Sequence, residues 1–228
     1  MPFVYSPSNM QTFRDCPLRF WGQSISKEIK WKASGSKSRG QTIHTAIQRR
    51  LHYGWSDDVS WDATIDVDFV RDCVEEVRRL MSQGASLYTE HELVLNANGG
   101  KTGWWDDDAR IRARADALVL PADAAEPALL IDIKTGKKWD IDDFQLRVEC
   151  LLTHILYQRA VVRYAYWYVD SGEEVDGVID FRNGLAPVQD VLELLGDMEQ
   201  ALKNNHFPPT SNKFCRWCDF NNTPKCMR

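Results

Sequence analysis

The sequence predicts one α/β domain with a mixed β-sheet flanked by helices. Three observations predict this fold class. Helical spacing of apolar residues comes first, at about 38–53 and 66–81. Strand-like segments follow at about 87–95, 111–120 and 129–134, then at 161–169 and 175–181 beyond a helical segment that starts at Asp142 or Asp143. The 228 residues suit one domain with a real core; further helices are predicted from Ser6 or Ser8 to Cys16 and over 187–202.

The charge is unevenly distributed along the chain. The net charge is −5, yet residues 1–50 carry nine Lys/Arg and two Asp/Glu, and the last 26 residues carry five against one. Such asymmetry indicates a local anion-binding surface, although charged termini that only aid solubility are the alternative. No apolar run approaches the ~20 residues of a membrane helix, and the first residues do not resemble a signal peptide, so a cytoplasmic protein without membrane contact is expected.

Charged residues lie within two predicted core strands. Asp132 and Lys134 interrupt the apolar run 129–134, and they share a face because strand side chains alternate. Asp116 lies in the preceding predicted strand. Buried charges must be paired or bind a metal. An ion pair across strands is the simpler interpretation, but two acids with one base leave a negative charge that a divalent cation would offset.

Four cysteines show the spacing of metal ligands. Cys215 and Cys218 form a Cys-x-x-Cys, Cys226 follows, and Cys16 in a Cys-Pro turn can supply the fourth thiolate. All-thiolate sites hold Zn²⁺ or an iron–sulfur cluster, and spacing alone does not distinguish them. Cys73 and Cys150 lie at apolar helical positions and are predicted to be core residues.

Taken together, these elements resemble the PD-(D/E)xK nucleases of the RecB-like type, including the CRISPR-associated iron–sulfur exonucleases. Asp116 followed by Asp132-Ile133-Lys134 is similar to the catalytic core of that family. Gly40 to His44 resembles its Gly-x-x-x-His helix, and Gln145 resembles the start of its Gln-x-x-x-Tyr motif. Two positions depart from the pattern: Glu149 replaces the tyrosine, and Ala113 replaces a glycine that many members carry.

The resemblance implies metal-assisted hydrolysis of phosphodiesters. Mg²⁺ or Mn²⁺ would be held by His44, Asp116, Asp132 and the carbonyl of Ile133, while Lys134 and Gln145 would act on the attacking water or the phosphate. Glu90 and Glu92 lie on the strand before the site, where family members often carry a further carboxylate. It is equally consistent with the sequence that Glu90 and Glu92 are ordinary solvent-exposed strand residues.

The resemblance also implies a restriction-endonuclease-like core at about 38–204 and a cysteine-stapled subdomain formed by about 6–35 and 205–228. The family favours a [4Fe–4S] cluster at Cys16, Cys215, Cys218 and Cys226, with Zn²⁺ as the alternative. Joining the two basic ends predicts a surface for single-stranded or frayed DNA. Its predicted phosphate contacts are Arg14, Arg19, Lys213 and Arg216.

The expected function is therefore a DNA exonuclease that acts on single strands from an end. A structure-specific endonuclease or flap trimmer, in repair or in acquisition of foreign DNA, is the first alternative. A non-catalytic DNA-binding module held together by a cluster or zinc is the second. The sequence leaves open whether a helicase or recombination protein is a partner, and no Gly-x-x-x-x-Gly-Lys-Ser/Thr motif is present.

Overall fold

The chain folds into three layers, with helices on both faces of one sheet. The computed structural model describes residues 3–29, 36–56, 61–136, 142–221 and 223–226, with the backbone alone at 36–38. Its helices are Pro7–Asp15 (α1), Pro17–Phe20 (α2), Ser36–Tyr53 (α3), Val67–Ser82 (α4), Phe144–Tyr157 (α5) and Gln189–Asn204 (α6). None of the described helices is both long and apolar enough to cross a membrane.

The described strands form one mixed five-stranded sheet in the order β1-β2-β3-β4-β5. All neighbouring strands are antiparallel except β3 and β4, which are parallel and are connected through α5. This arrangement confirms the predicted fold class. The strands are Ser86–Asn96 (β1), Ala109–Leu120 (β2), Ala128–Lys134 (β3), Val161–Tyr168 (β4) and Glu173–Asp180 (β5).

Each face of the sheet has its own hydrophobic core. One core packs α1, α5 and α6 against the sheet through buried residues such as Met10, Leu152 and Met198. The other packs α3 and α4 through residues such as Ile47 and Val74. Helix α5 is apolar on most sides, as expected for a helix enclosed between the sheet and other helices.

The first helix ends where the sequence predicts, at Asp15 with Cys16 as its C-cap, and Pro17 is accommodated at the first position of a separate short helix, α2. A π-helical turn that the sequence did not predict then continues to Ile25. One predicted boundary is wrong. The predicted loop 27–39 is too long, since α3 already begins at Ser36; residues 30–35 of that loop lie outside the described residues. Residues 57–60 and 137–140 of two other predicted loops also lie outside them.

The two ends of the chain meet in a third, smaller core. Cys16, Leu18 and Ile29 from the N-terminal segment pack with Phe220 and Cys226 from the C-terminal tail. The tail carries only short 3₁₀ turns, at Cys215–Trp217 and Pro224–Cys226. The amide of Asn212 further donates a hydrogen bond of 2.8 Å to the carbonyl of Asp15, at the end of α1.

We expect Gly22→Ala to destabilise this junction. A Cβ at Gly22 would lie 2.4 Å from the Phe220 ring and 2.9 Å from Ile29, so both buried side chains would have to move. Overpacking of this kind typically costs about 1–3 kcal/mol of unfolding free energy. Gly196→Ala in α6 is the matched control, because its Cβ meets nothing within 4 Å and should stabilise the helix by up to about 1 kcal/mol. Equal thermal stability of both variants would contradict the expectation.

Candidate active site

The candidate site lies where β2 and β3 separate. The two strands pair only from Ala117 to Val119, and beyond this point they diverge. Asp116 fills the gap: its Oδ2 accepts a hydrogen bond of 2.7 Å from the backbone N–H of Ile133. A carboxylate therefore replaces a missing ladder partner, and it is fixed at the mouth of the notch between the strands.

In β2 and its neighbour β1, the alternation of side chains between the two faces of the sheet is interrupted at Asp116 and Glu90. Ala115 and Leu118 belong to the same core although they are three residues apart, so Asp116 and Ala117 both face α3 and α4. Glu90 lies opposite Asp116 on β1, because its neighbours Thr89 and His91 pair with Ala117 and Ala115. Its φ of +47° is left-handed and costs roughly 1–2 kcal/mol for a non-glycine residue. Such strain is concentrated at functional sites.

Helix α3 supplies the third member of the site. His44 Nδ1 lies 3.3 Å from Asp116 Oδ1, and the His44 ring also hydrogen-bonds to the backbone of Ile133. One turn further, Gln48 donates a hydrogen bond of 2.7 Å to Glu90 Oε1. A Cβ at Gly40 would lie 3.2 Å from Thr135 Oγ1, so this glycine permits the close approach of α3 to the end of β3.

His44, Glu90 and Asp116 form one compact group of ligands. Their donor atoms all lie within 4.8 Å of one another, and no other such group occurs among the described residues. An imidazole with two carboxylates is a ligand set that a divalent cation can use. Of the two carboxylates considered on β1, the structure brings Glu90 to the site, whereas Glu92 pairs with Arg114 at 2.9 Å.

Asp132 and Lys134 form the second part of the site, deeper in the notch. Lys134 Nζ lies 2.7 Å from Asp132 Oδ2, as the strand alternation predicts. Gln145, from the first turn of α5, donates a hydrogen bond of 2.7 Å to Asp132 Oδ1 and accepts one of 3.4 Å from Lys134. Asp132 Oδ2 is buried, and the Lys134 ammonium is the charged group beside it.

Comparison with known proteins identifies the superfamily of this chain. The family model of the PD-(D/E)XK nuclease superfamily matches residues 4–223. The chain belongs to this superfamily. Asp116 lies on β2, and Asp132 and Lys134 lie on the neighbouring strand β3.

Two solved structures are similar to this nuclease chain. The crystal structure of SSO0001 superposes with a TM-score of 0.51 at 19% identity, covering 99% of this chain and 88% of that one. The crystal structure of a protein named "Putative exonuclease" from Eubacterium rectale gives a TM-score of 0.47 at 13% identity, covering 98% and 88%. At these identities the first match supports the fold alone. No curated protein is significantly similar to the chain.

The structure of this superfamily member also brings in a residue that sequence reasoning did not select. Glu149 lies one turn after Gln145 on α5 and accepts a hydrogen bond of 3.0 Å from its Nε2. Glu149 is only 1% exposed, and its Oε2 has no partner among the described residues. The signal was present in the sequence, because an acid among Val148, Cys150 and Leu151 on an apolar helix is unusual.

Burial and mutual repulsion set the protonation of the site. Burial raises the pKa of Asp132 to about 6, although the charge of Lys134 opposes this shift. Burial also raises the pKa of Glu149 well above its usual range. Burial alone would lower the pKa values of Lys134 and His44, but the charges of Asp132 and Asp116, respectively, outweigh it and raise both.

These shifts predict how the stability of the metal-free protein depends on pH. The folded chain keeps the proton of Asp132 up to about pH 6, whereas the unfolded chain loses it near pH 3.8. The free energy of unfolding should therefore fall as pH rises from about 4 through 6. The raised pKa of Glu149 adds to this fall from about pH 4.5 upward, and the raised pKa of His44 adds to it only above about pH 6.5. In a chelating buffer, Asp132→Asn should flatten the slope of melting temperature against pH; an unchanged slope would contradict the assignment.

The predicted cysteine ligands line one cavity. Cys16, Cys215, Cys218 and Cys226 all face it, together with Phe214 and Phe220. The N–H of Thr210 donates to Cys16 Sγ at 3.4 Å, and the N–H of Asn212 donates to Cys215 Sγ at 3.2 Å. Cys73 and Cys150 are buried elsewhere, as predicted, and burial raises the pKa of Cys73 to about 12.

The predicted DNA-contacting cations lie around this cavity, each beside an aromatic ring. Arg19 and Lys213 lie over Phe214, at 5.7 and 5.5 Å, and Arg216 lies over Trp217 at 3.7 Å. Arg14 differs, because it forms an ion pair with Asp142 and stacks on Phe144. Its charge is already compensated within the protein.

Proposed function

We propose that this chain is a metal-dependent deoxyribonuclease of the RecB-like type that degrades single-stranded DNA from an end. The observation that carries the proposal is the compact His44–Glu90–Asp116 group beside the Asp132–Lys134 pair. Such an excess of acid at the edge of a buried pair is costly unless a cation binds there. The oxygen-rich donor set suits Mg²⁺ or Mn²⁺.

The metal would be held by His44, Glu90 and Asp116. Asp132, whose carboxylate is buried beside Lys134, and the carbonyl of Ile133 are the further ligands that the sequence pattern suggests. Glu90 thus joins the four ligands predicted from the sequence. A bound divalent cation supplies charge stabilisation at the phosphate and lowers the pKa of bound water.

The protein's own groups position the reactants. Lys134 is protonated at neutral pH because carboxylates surround it, so its ammonium stabilises negative charge that develops on the phosphate. Gln145 fixes the orientation of Asp132 and presents its amide beside Lys134, where it can hold a water or a phosphate oxygen. Asp116 keeps His44 in place through the 3.3 Å contact.

We further propose that the four-cysteine cavity holds an iron–sulfur cluster. All four cysteines line one cavity, as a shared metal group requires. The N–H donors directed at two of the sulfur atoms, together with the resemblance to the iron–sulfur members of the family, favour a cluster in which each thiolate binds a different iron.

A comparison of linear and covalently closed single-stranded DNA tests the proposed function. With Mn²⁺, the linear strand should be degraded, whereas a closed circle of the same sequence should survive because it offers no end. Cleavage of the circle would indicate an endonuclease, and no cleavage of either would indicate a binding module. Blocking the 5′ or the 3′ end of the linear strand then gives the polarity.

A further inference from the structure

An open cleft of about 370 Å³ adjoins the candidate active site through Gln145. Its walls come from three separate parts of the chain: the start of α1, the outer half of the β1–β2 hairpin, and α5. The residues that matter for its chemistry are Ser6, Trp104, Arg112, Arg114, Gln145 and Glu149. Because Gln145 also contacts Asp132, the cleft leads directly to the reacting groups.

The hairpin wall combines cations with indole rings. The Arg112 guanidinium lies 4.6 Å from the Trp104 ring centre and 5.3 Å from that of Trp105, and Arg114 lies 4.7 Å from Trp104. Arg112 also donates a hydrogen bond of 2.8 Å to the carbonyl of Trp104, which fixes the hairpin in this shape. Stacked arginines are well suited to phosphate, since their planar fork is already ordered.

The α5 wall carries an unpartnered polar group. Glu149 lines the cleft, is 1% exposed, and has no partner for Oε2 among the described residues. A buried carboxyl oxygen without a partner normally signals a missing ligand or water. Burial raises the pKa of this carboxyl, which favours its neutral form.

Trp105 follows the cleft residue Trp104 in the chain, lies beside Arg112 and is 84% exposed. A large indole left in water beside an arginine is an unusual surface feature, and every unpaired base offers a face that can stack on it. A base inside a duplex is already stacked and paired, so it cannot use this ring without being extruded.

We propose that this cleft binds the single DNA strand beside the scissile phosphate, with Arg112 on a backbone phosphate and Trp105 stacked on a base. This inference rests on the proposed nuclease function and extends it. It adds a strand-binding site on the hairpin, distinct from the cations around the cysteine cavity. Arg114 connects the cleft with the active site, because it pairs with Glu92 and lies 3.9 Å from Glu90.

The test measures binding of a fluorescent oligothymidylate by anisotropy, with the full chain in a chelating buffer so that no cleavage occurs. Arg112→Gln and Trp105→Ala should each weaken binding by roughly tenfold, which is the usual value of one phosphate or stacking contact. Arg112→Gln should also reduce the slope of log affinity against log salt by about 0.7, the value for one single-strand phosphate contact. Arg112→Lys should restore the slope but not the full affinity.

Arg182→Gln is the matched control, because Arg182 pairs with Asp180 at the end of β5 and should not change binding. Thermal melts show whether each variant folds, and Trp105 is exposed enough to be replaced without loss of packing. Unchanged oligothymidylate affinity in both Arg112→Gln and Trp105→Ala would overturn the proposal, as would equal or tighter binding of duplex DNA.

A small chromogenic diester, bis(p-nitrophenyl) phosphate, separates this proposal from the proposed function. It reaches the catalytic groups but spans no cleft, so Arg112→Gln and Trp105→Ala should hydrolyse it with Mn²⁺ at the wild-type rate. A slower rate in these folded variants would overturn the assignment of these residues to strand binding. Failure of the nuclease function itself would appear as wild-type protein that hydrolyses neither this diester nor DNA, and the anisotropy comparison would still decide on the cleft.

Discussion

Replacing Lys134 by alanine is expected to reduce DNA hydrolysis by at least about 10²–10³-fold, the usual effect of removing one preorganised charge-stabilising donor. The ammonium lies 2.7 Å from Asp132 and 3.4 Å from Gln145, so the substitution removes a cation that both residues contact. Hydrolysis of a labelled single strand with Mn²⁺ measures the effect. Lys203→Ala, at the exposed end of α6, is the control and should retain full activity.

The role of the amine can be resolved with a second substitution. Arginine keeps a positive charge but does not give up a proton at accessible pH. If Lys134 acts by stabilising charge, as its raised pKa favours, Lys134→Arg should retain more activity than Lys134→Ala. If it acts by deprotonating water, both variants should be equally inactive. Full activity of Lys134→Ala would contradict the assignment of the site.

The part of the site that could be predicted from the sequence depends on regular alternation. Asp132 and Lys134 lie on one face of β3 because the strand is regular there, and the apolar residues around them show that the strand is buried. The amphipathic helices were predictable from their apolar periodicity and their caps. Helix α4 begins directly after Asp66, whose side chain accepts a hydrogen bond from the N–H of Phe69.

Glu90 could not be assigned in this way, because alternation fails where β1 and β2 change face. No sequence rule gives a glutamate a left-handed φ, and the register on both sides of the change is unaltered. The side-chain alternation is interrupted at this point, and as a result Glu90 and Asp116 both lie close to His44. Conflicts between local preference and the final fold are expected at functional sites.

Glu149 illustrates a different limit. From the sequence it is only a departure from the tyrosine of the family pattern. The structure shows that its Oε1 anchors the Gln145 amide, which in turn holds Asp132. A carboxyl thus lies at the tyrosine position and reaches the same glutamine, a relation that depends on how α5 lies over the notch and not on residue spacing alone.

If the proposed cluster occupies the cysteine cavity, replacing Cys218 by serine is expected to remove it and to unfold the C-terminal tail. The tail has little regular structure, and its buried contacts with the N-terminal segment are few: Phe220 and Cys226 pack on Cys16, Leu18 and Ile29. Structural metal sites contribute on the order of 10 kcal/mol to the folding of segments this poor in core. The segment 205–226 should therefore become a preferred site of limited proteolysis.

Purification without oxygen provides the direct readout of this prediction. Wild-type protein should be brown, with broad visible absorption and iron and sulfide in equal amounts, whereas Cys218→Ser should be colourless. Cys73→Ala is the matched control, since its thiol is buried in α4 with a pKa raised to about 12 and makes a poor ligand. This control should stay brown and lose no more stability than a small core truncation, about 1 kcal/mol. Colourless wild-type protein with stoichiometric zinc would contradict the cluster, and a protease-resistant tail in Cys218→Ser would contradict the stapling role of the cysteines.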